Sequence, residues 1–101
     1  MKWRIEMASR HVVVAICYDI SRSKVRRRVA AYLEDRMVRV QMSVFEARIS
    51  KAVADSIFST VKAMIEDGDS ARMYVLSRTG IEQSKTAGGA PFPEEGGYWL
   101  L

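Results

Sequence analysis

Residues His11 to Ser21 read HVVVAICYDIS, and this stretch decides the fold. Val12 to Tyr18 form an unbroken apolar run, short for a helix and bounded by polar residues. Val12, Val13, Val14, Ile16 and Tyr18 are β-branched or aromatic, a composition that favours a strand. An apolar run without alternation predicts a central strand covered on at least one face. The run ends on an aromatic–acid pair, Tyr18-Asp19, and is followed by RSKVRRR over Arg22 to Arg28, the most basic segment of the chain. A carboxylate at the mouth of a strand beside clustered guanidinium groups suits phosphate chemistry, provided the acid holds a metal rather than repelling the ligand.

The length of 101 residues allows one domain with one core and no deep enclosed pocket. Hydrophobic content of 49% and charged content of 28% place the chain among ordinary globular proteins. No apolar run is long enough to cross a membrane, and the N-terminal MKWRIEMASR lacks the apolar core of a secretory signal. Cys17 is the single cysteine, so no intrachain disulfide can form, in keeping with a reducing cytoplasm. Net charge is +4 and unevenly placed. Arg22 to Arg39 carries seven basic and two acidic residues, so the remainder is close to neutral. A basic patch on a nearly neutral body points to a polyanion, with a plain solvated helix face as the alternative.

Working outward from the first strand, residues 1–10 read as an N-terminal extension with Trp3 as its one large anchor. About Ser23 to Arg36, helical spacing puts Val25, Val29, Tyr32 and Leu33 on one face, with Arg27 pointing away and Arg26 and Arg28 flanking it. Ser21 or Ser23 is expected to cap this helix. Val38 to Met42 alternates as a half-buried strand with Val38, Val40 and Met42 on its apolar side. Ser43 to Ile49 alternates likewise through Phe45, Ala47 and Ile49, joined to its predecessor by a tight turn or a bend. Ser50 to Glu66 predicts a second helix with an apolar stripe of Val53, Ile57, Val61 and Met64, ended by Gly68. Ser70 to Ser77 is a further strand.

The order strand, helix, strand, strand, helix, strand is the split βαβ pattern. It predicts an α+β, ferredoxin-like βαββαβ domain over 11–78, with an antiparallel sheet and both helices on one face. Residues 79–101 are expected to add a short C-terminal strand at Ile81 to Lys85 and a tail. Thr86 to Gly97, TAGGAPFPEEGG, is too rich in Gly and Pro for a helix or a central strand. Tyr98, Trp99, Leu100 and Leu101 then end the chain with an apolar tip. Such a tip suits docking on a neighbouring subunit or another protein, or folding back over the open sheet face.

These residues resemble the family of CRISPR-associated protein two, the small subunit of the spacer-acquisition machinery. The resemblance rests on Tyr18-Asp19-Ile20, on Arg26 to Arg28, on Tyr32-Leu33-Glu34 and above all on Arg39-Val40-Gln41-Met42-Ser43-Val44-Phe45-Glu46. That last run is similar to a family motif of Arg, apolar, Gln, variable, Ser-Val-Phe, and the likeness covers roughly Val12 to Ser77. The ten-residue lead, with Met7 as an alternative start, and the Gly/Pro tail depart from the family pattern.

The resemblance implies a ferredoxin-like two-fold homodimer that joins dimers of the integrase, CRISPR-associated protein one, and binds duplex DNA. It also implies a metal-dependent endonuclease in some members, acting on single-stranded RNA or on DNA. Carried over by motif, Asp19 is the catalytic and metal residue, with Tyr18, Ser43 and Phe45 in support. Arg22, Lys24, Arg26, Arg27, Arg28 and Arg39 form the expected nucleic-acid face. The expected cofactor is Mg²⁺, with Mn²⁺ as the alternative, at the dimer axis. One carboxylate is a poor site for a hard cation that takes about six oxygen ligands, and two Asp19 side chains on an axis would supply a second. His11, at the far end of the strand, cannot help. The plainer reading of Asp19 is a turn residue capping a backbone N–H. Three functions follow: a nucleic-acid-binding adaptor, a metal-dependent phosphodiesterase, or a ribonuclease toxin of a toxin–antitoxin pair on the same fold.

Overall fold

A computed structural model describes residues 11–93, so expectations for Trp3 and for Tyr98 to Leu101 lie outside the described residues. The elements in chain order are β1 (His11–Asp19), α1 (Ser23–Glu34), β2 (Val38–Gln41), β3 (Val44–Ser50), α2 (Lys51–Met64), β4 (Ser70–Leu76) and α3 (Arg78–Gln83). The strands form one antiparallel sheet in the order β2-β3-β1-β4. This is the ferredoxin-like arrangement expected from the sequence.

Strand alternation sorts the chain between two faces. Val14, Ile16 and Tyr18 of β1 pair across to Val75, Met73 and Ala71 of β4, and Ile16 faces Phe45 of β3. All of these but Val75, which is exposed, meet Val25, Val29, Ala30 and Leu33 of α1 and Ala54, Ile57 and Val61 of α2 in one core. Val14, Ile16, Val29, Leu33, Phe45, Ala47, Ala54 and Val61 are fully inaccessible to water. The odd-numbered residues of β1, from His11 to Asp19, face the other way.

Several local expectations are corrected. Neither Ser21 nor Ser23 caps α1; its N-cap is Arg22 in extended backbone, with no side-chain cap. Val53 is half exposed and Ala54 takes the buried place on α2. At about 100° per residue, Val61 lies about 20° round the helix from Ala54 and Val53 about 100° away, so Val53 falls at the edge of the buried stripe. Gly68 does adopt positive φ (87°), but α2 has already ended at Met64. The glycine instead closes the Glu66–Asp69 turn, in which Asp69 N–H donates to Glu66 O at 2.9 Å, the place where a type II turn needs it. Met42 leaves the apolar side of β2 and stands 79% exposed in the two-residue turn to β3. Both turn residues keep negative φ, and a bulge between Arg39 and Gln41 absorbs the twist that such a turn does not match.

The strand expected at Ile81 to Lys85 is replaced by α3. Ser77 caps that helix, its Oγ accepting the Gly80 N–H at 3.2 Å, and the cap turns the chain away from the sheet edge. α3 packs on β1 and β4, and Leu76, the cross-strand partner of Val13, contacts Gly80. The Gly/Pro segment then returns over the open sheet face as far as Pro93. Pro93 is buried, and its carbonyl accepts from Arg48 Nε at 3.4 Å. Val13, the cross-strand partner of Arg48, is 2% exposed although it faces away from the main core. Up to Pro93 the tail therefore covers its own chain's sheet. It borders an open hollow of about 380 Å³ lined by Val40, Gln41, Glu46, Gly88, Gly89 and Phe92 among others. Among the described residues no helix is long and apolar enough to cross a membrane.

Two measurements follow from this packing. Phe45→Ala should cost about 3–5 kcal/mol in urea unfolding, because it empties a fully enclosed aromatic site. Val53→Ala should change stability by no more than about 0.5 kcal/mol. Burial on the covered face raises the Glu46 carboxyl above its ordinary value. The folded state then holds that proton more tightly than the unfolded state. Its contribution to stability falls as pH rises from the ordinary carboxylate range through the raised value. Glu46→Gln, which cannot ionise, should gain stability over the parent at pH 7 but not at pH 4, as read by urea unfolding at both.

Candidate nucleic-acid interface

The β1–α1 junction is held by residues that the sequence reading gave other tasks. Asp19, the last residue of β1, is exposed on the open face, and its carboxylate accepts no hydrogen bond from the described residues. The turn-capping role belongs to Asp69 instead. Its Oδ1 accepts the Ser21 N–H at 3.1 Å and its Oδ2 accepts the Glu66 N–H at 2.9 Å, tying the exit of β1 to the entry of β4. Arg22 Nη1 pairs with Glu66 Oε2 at 2.8 Å across the same gap. Both partners are largely exposed, so the pair adds little to stability. Arg26 folds back, its Nη1 donating to the carbonyls of Ile20 (2.9 Å) and Ser21 (3.3 Å).

The second motif is built around one carbonyl. Arg39 lies on the helix side of the sheet, its guanidinium 5.4 Å from the centre of the Phe45 ring. Its Nε and Nη2 both donate to the Met42 carbonyl, at 3.0 and 2.7 Å. Its Nη1 reaches Glu34 Oε1 at 3.5 Å. Tyr18 stacks on Phe45 at 6.3 Å between ring centroids, and its hydroxyl approaches the same Met42 carbonyl at 3.5 Å, the outer limit of a hydrogen bond. The Tyr18 N–H donates to Ser43 O at 3.2 Å. Tyr18, Arg39, Ser43 and Phe45 therefore fix the Met42–Ser43 turn against the end of β1.

The remaining cations are differently placed. Lys24, Arg27 and Arg28 are exposed on α1 and make no ion pair or side-chain hydrogen bond with the described residues. Arg27 also enters a shallow groove of about 370 Å³ between α1 and the β2–β3 turn. Arg26, Ala30, Glu34, Arg39, Met42 and Ser43 form the rest of its lining. Three guanidinium groups against one carboxylate give this groove a positive field suited to phosphate. Six expected basic residues thus divide: Lys24, Arg27 and Arg28 face solvent, while Arg22, Arg26 and Arg39 already hold protein acceptors.

Asp19 does not share this groove. It lies on the opposite sheet face, with Cys17 on its own strand and Arg72 and Tyr74 on β4. Arg72 Nη1 donates to Tyr74 Oη at 3.1 Å there. Among the described residues no cluster of three or more His, Cys, Asp or Glu side chains could hold a metal ion. Within one chain the residues present do not fit a Mg²⁺ or Mn²⁺ site. His11, eight residues along a strand from Asp19, is about 26 Å away.

Sequence reasoning missed Asp69 and the Met42 carbonyl. The Asp67-Gly68-Asp69 run was a visible turn signal, and its second carboxylate was the natural candidate for a backbone cap. Nothing in composition marks a single carbonyl as the acceptor for a neighbouring arginine fork.

The family model described as CRISPR associated protein Cas2 matches residues 12–83. A Synechocystis protein named CRISPR-associated endoribonuclease Cas2 2 is 34% identical over 88 residues, covering 85% of this chain and 95% of its own. A protein of the same name from Methanospirillum hungatei is 35% identical over 65 residues, or 64% of this chain and 73% of its own. Among solved structures, Streptococcus pyogenes Cas2 superposes with a TM-score of 0.62 at 30% identity, covering 75% of this chain and 99% of that one. A chain of a partial Cas6-RT-Cas1–Cas2 complex gives a TM-score of 0.57 at 28% identity, covering 79% of this chain and 88% of that one.

Proposed function

The chain belongs to the CRISPR-associated protein Cas2 family, and from that premise we propose that it serves CRISPR adaptation as a dimeric, nucleic-acid-binding adaptor working with a Cas1 integrase in the cytoplasm. The observation that carries the reading is the row of exposed, unpaired cations Lys24, Arg27 and Arg28 beside the basic groove. Phosphates bound there displace counterions, so affinity comes without base reading. The similarity to a chain of a complex that holds Cas1 with Cas2 supports the choice of partner. The homodimer would use the uncovered part of the open sheet face, where Tyr74 is 52% exposed beside Arg72 and Cys17. Sheet-to-sheet packing of a second copy would bury that part.

A second reading, a metal-dependent endoribonuclease, is favoured by the names of the two curated relatives. It needs the Asp19 carboxylate of a second copy to complete any Mg²⁺ or Mn²⁺ site, and its substrate would be single-stranded RNA. The adaptor reading needs duplex DNA and no metal.

Sedimentation of the full chain at low micromolar concentration should give about twice the 11.4 kDa chain mass; a clean monomer would overturn the dimer. Asp19→Asn separates the two readings, since it keeps shape and removes charge. The variant should remain a dimer, bind duplex DNA and support integration with Cas1, while losing any Mg²⁺-dependent cleavage the parent shows. Loss of integration with dimer and DNA affinity intact would make the carboxylate site central and the adaptor reading wrong.

A further inference from the structure

The geometry points to Met42 as an apolar contact to nucleic acid at the rim of the basic groove, with Arg39 as the positioning residue that holds it there. This rests on the phosphate-binding reading of α1. Among the described residues Met42 is the most exposed large hydrophobic one, at 79%. An exposed methionine on a loose loop would mean little. This one sits in a two-residue turn whose carbonyl is gripped by both arms of the Arg39 fork, 2.7 and 3.0 Å away. The fork is itself seated over Phe45, and the next carbonyl, Ser43 O, is held by the Tyr18 N–H. A flexible thioether is thus carried on a fixed backbone.

The surroundings select the partner. Met42 and Arg39 line the same groove as Arg26 and Arg27, with Glu34 as its one acid. The positive charge continues along α1 through Arg28 and Lys24. The groove that Met42 borders carries three guanidinium groups and one carboxylate, a net positive lining that favours a polyanion over a neutral apolar protein surface. Phosphates on Arg27 and Arg28 would bring sugars and base edges to the turn. Methionine is among the apolar side chains that pack against or between bases where cations hold the backbone. Arg39 has its fork committed to Met42 and Glu34, so it supplies position rather than a phosphate contact.

The test is fluorescence anisotropy of a labelled DNA duplex over a salt series, with the full chain and its variants. Arg27→Ala should flatten the log–log salt slope by about 0.9, the signature of one lost phosphate contact. Met42→Ala should weaken binding about fivefold at every salt concentration with the slope unchanged, because burying part of a methionine involves no counterions. Met42→Leu should restore most of the loss. Arg39→Lys keeps the charge but not the fork, and should weaken binding about as much as Met42→Ala. The double variant should bind no worse than either single one, as expected when one residue acts through the other.

Met42→Ala binding as tightly as the parent would overturn the proposal. So would independent, multiplying losses for Arg39→Lys and Met42→Ala, or a Met42→Ala variant that keeps DNA affinity and loses the Cas1 partner. If Arg39→Lys melts well below the parent, the Met42→Ala and Met42→Leu pair, both at an exposed site, decide the question. A salt slope unmoved by Arg27→Ala would instead place the phosphate face elsewhere and remove both this inference and the reading beneath it.

Discussion

The two-residue period of β1 is the constraint on which the rest depends. Tyr18 and Asp19 are neighbours in sequence and lie on opposite faces of the sheet. Tyr18 turns into the core, stacks on Phe45 and helps hold the β2–β3 turn. Asp19 turns out to the open face, away from the Phe45 ring and the Met42 carbonyl that Tyr18 meets. A shift of one residue in the pairing of β1 with β3 would bury the carboxylate and expose Val14, Ile16 and Tyr18 together. The register is therefore fixed by the same apolar side chains that fill the core, and the position of Asp19 follows without any interaction of its own.

The arginines show a second division, and it is one of geometry rather than charge. Arg22, Arg26 and Arg39 sit close to backbone carbonyls or a carboxylate and use their planar forks there. Arg27, at the groove, and Arg28 are exposed on α1 and hold no acceptor among the described residues. A guanidinium held by neutral carbonyls keeps its charge, so Arg26 and Arg39 still contribute field to the groove. They lose the freedom to close around a phosphate. The electrostatic face is broader than the set of residues that can touch a ligand.

Much of this was legible from residue pattern. The apolar run of β1, the alternation of Phe45, Ala47 and Ile49, and the helical spacing of Val25, Val29 and Leu33 gave the elements and their buried faces. The burial of Tyr18 and exposure of Asp19 followed from alternation. What escaped was set by competition that no single segment records. Ala54 displaces Val53 because the sheet surface, not hydrophobicity, decides which part of the α2 stripe lies innermost. Ser77 starts a helix where Ile81 suggested a strand, because a side-chain cap acts on the backbone before distant pairing can. Asp69 takes the capping role read for Asp19, because the turn between α2 and β4 lies closer to the Ser21 amide in space than sequence distance implies. Arg39 could be read as a cation but not as a fork already in use.

The open sheet face bears on what a lone chain can do. Its covering is uneven: α3 lies over the Val13–Leu76 region, and the segment up to Pro93 lies over Arg48 and Glu46. The part near Asp19 stays open, with Arg72, Tyr74 and Cys17 beside it. Among the described residues, Asp19 therefore lies on a portion of this face that α3 and the segment up to Pro93 leave uncovered. A single exposed carboxylate there has no companions among the described residues that would hold a cation. Any chemistry at Asp19 must come from what is brought to it, whereas the basic groove on the other side is complete within one chain. The proposed phosphate binding would thus need only one protomer, whereas hydrolysis at Asp19 would need an assembly.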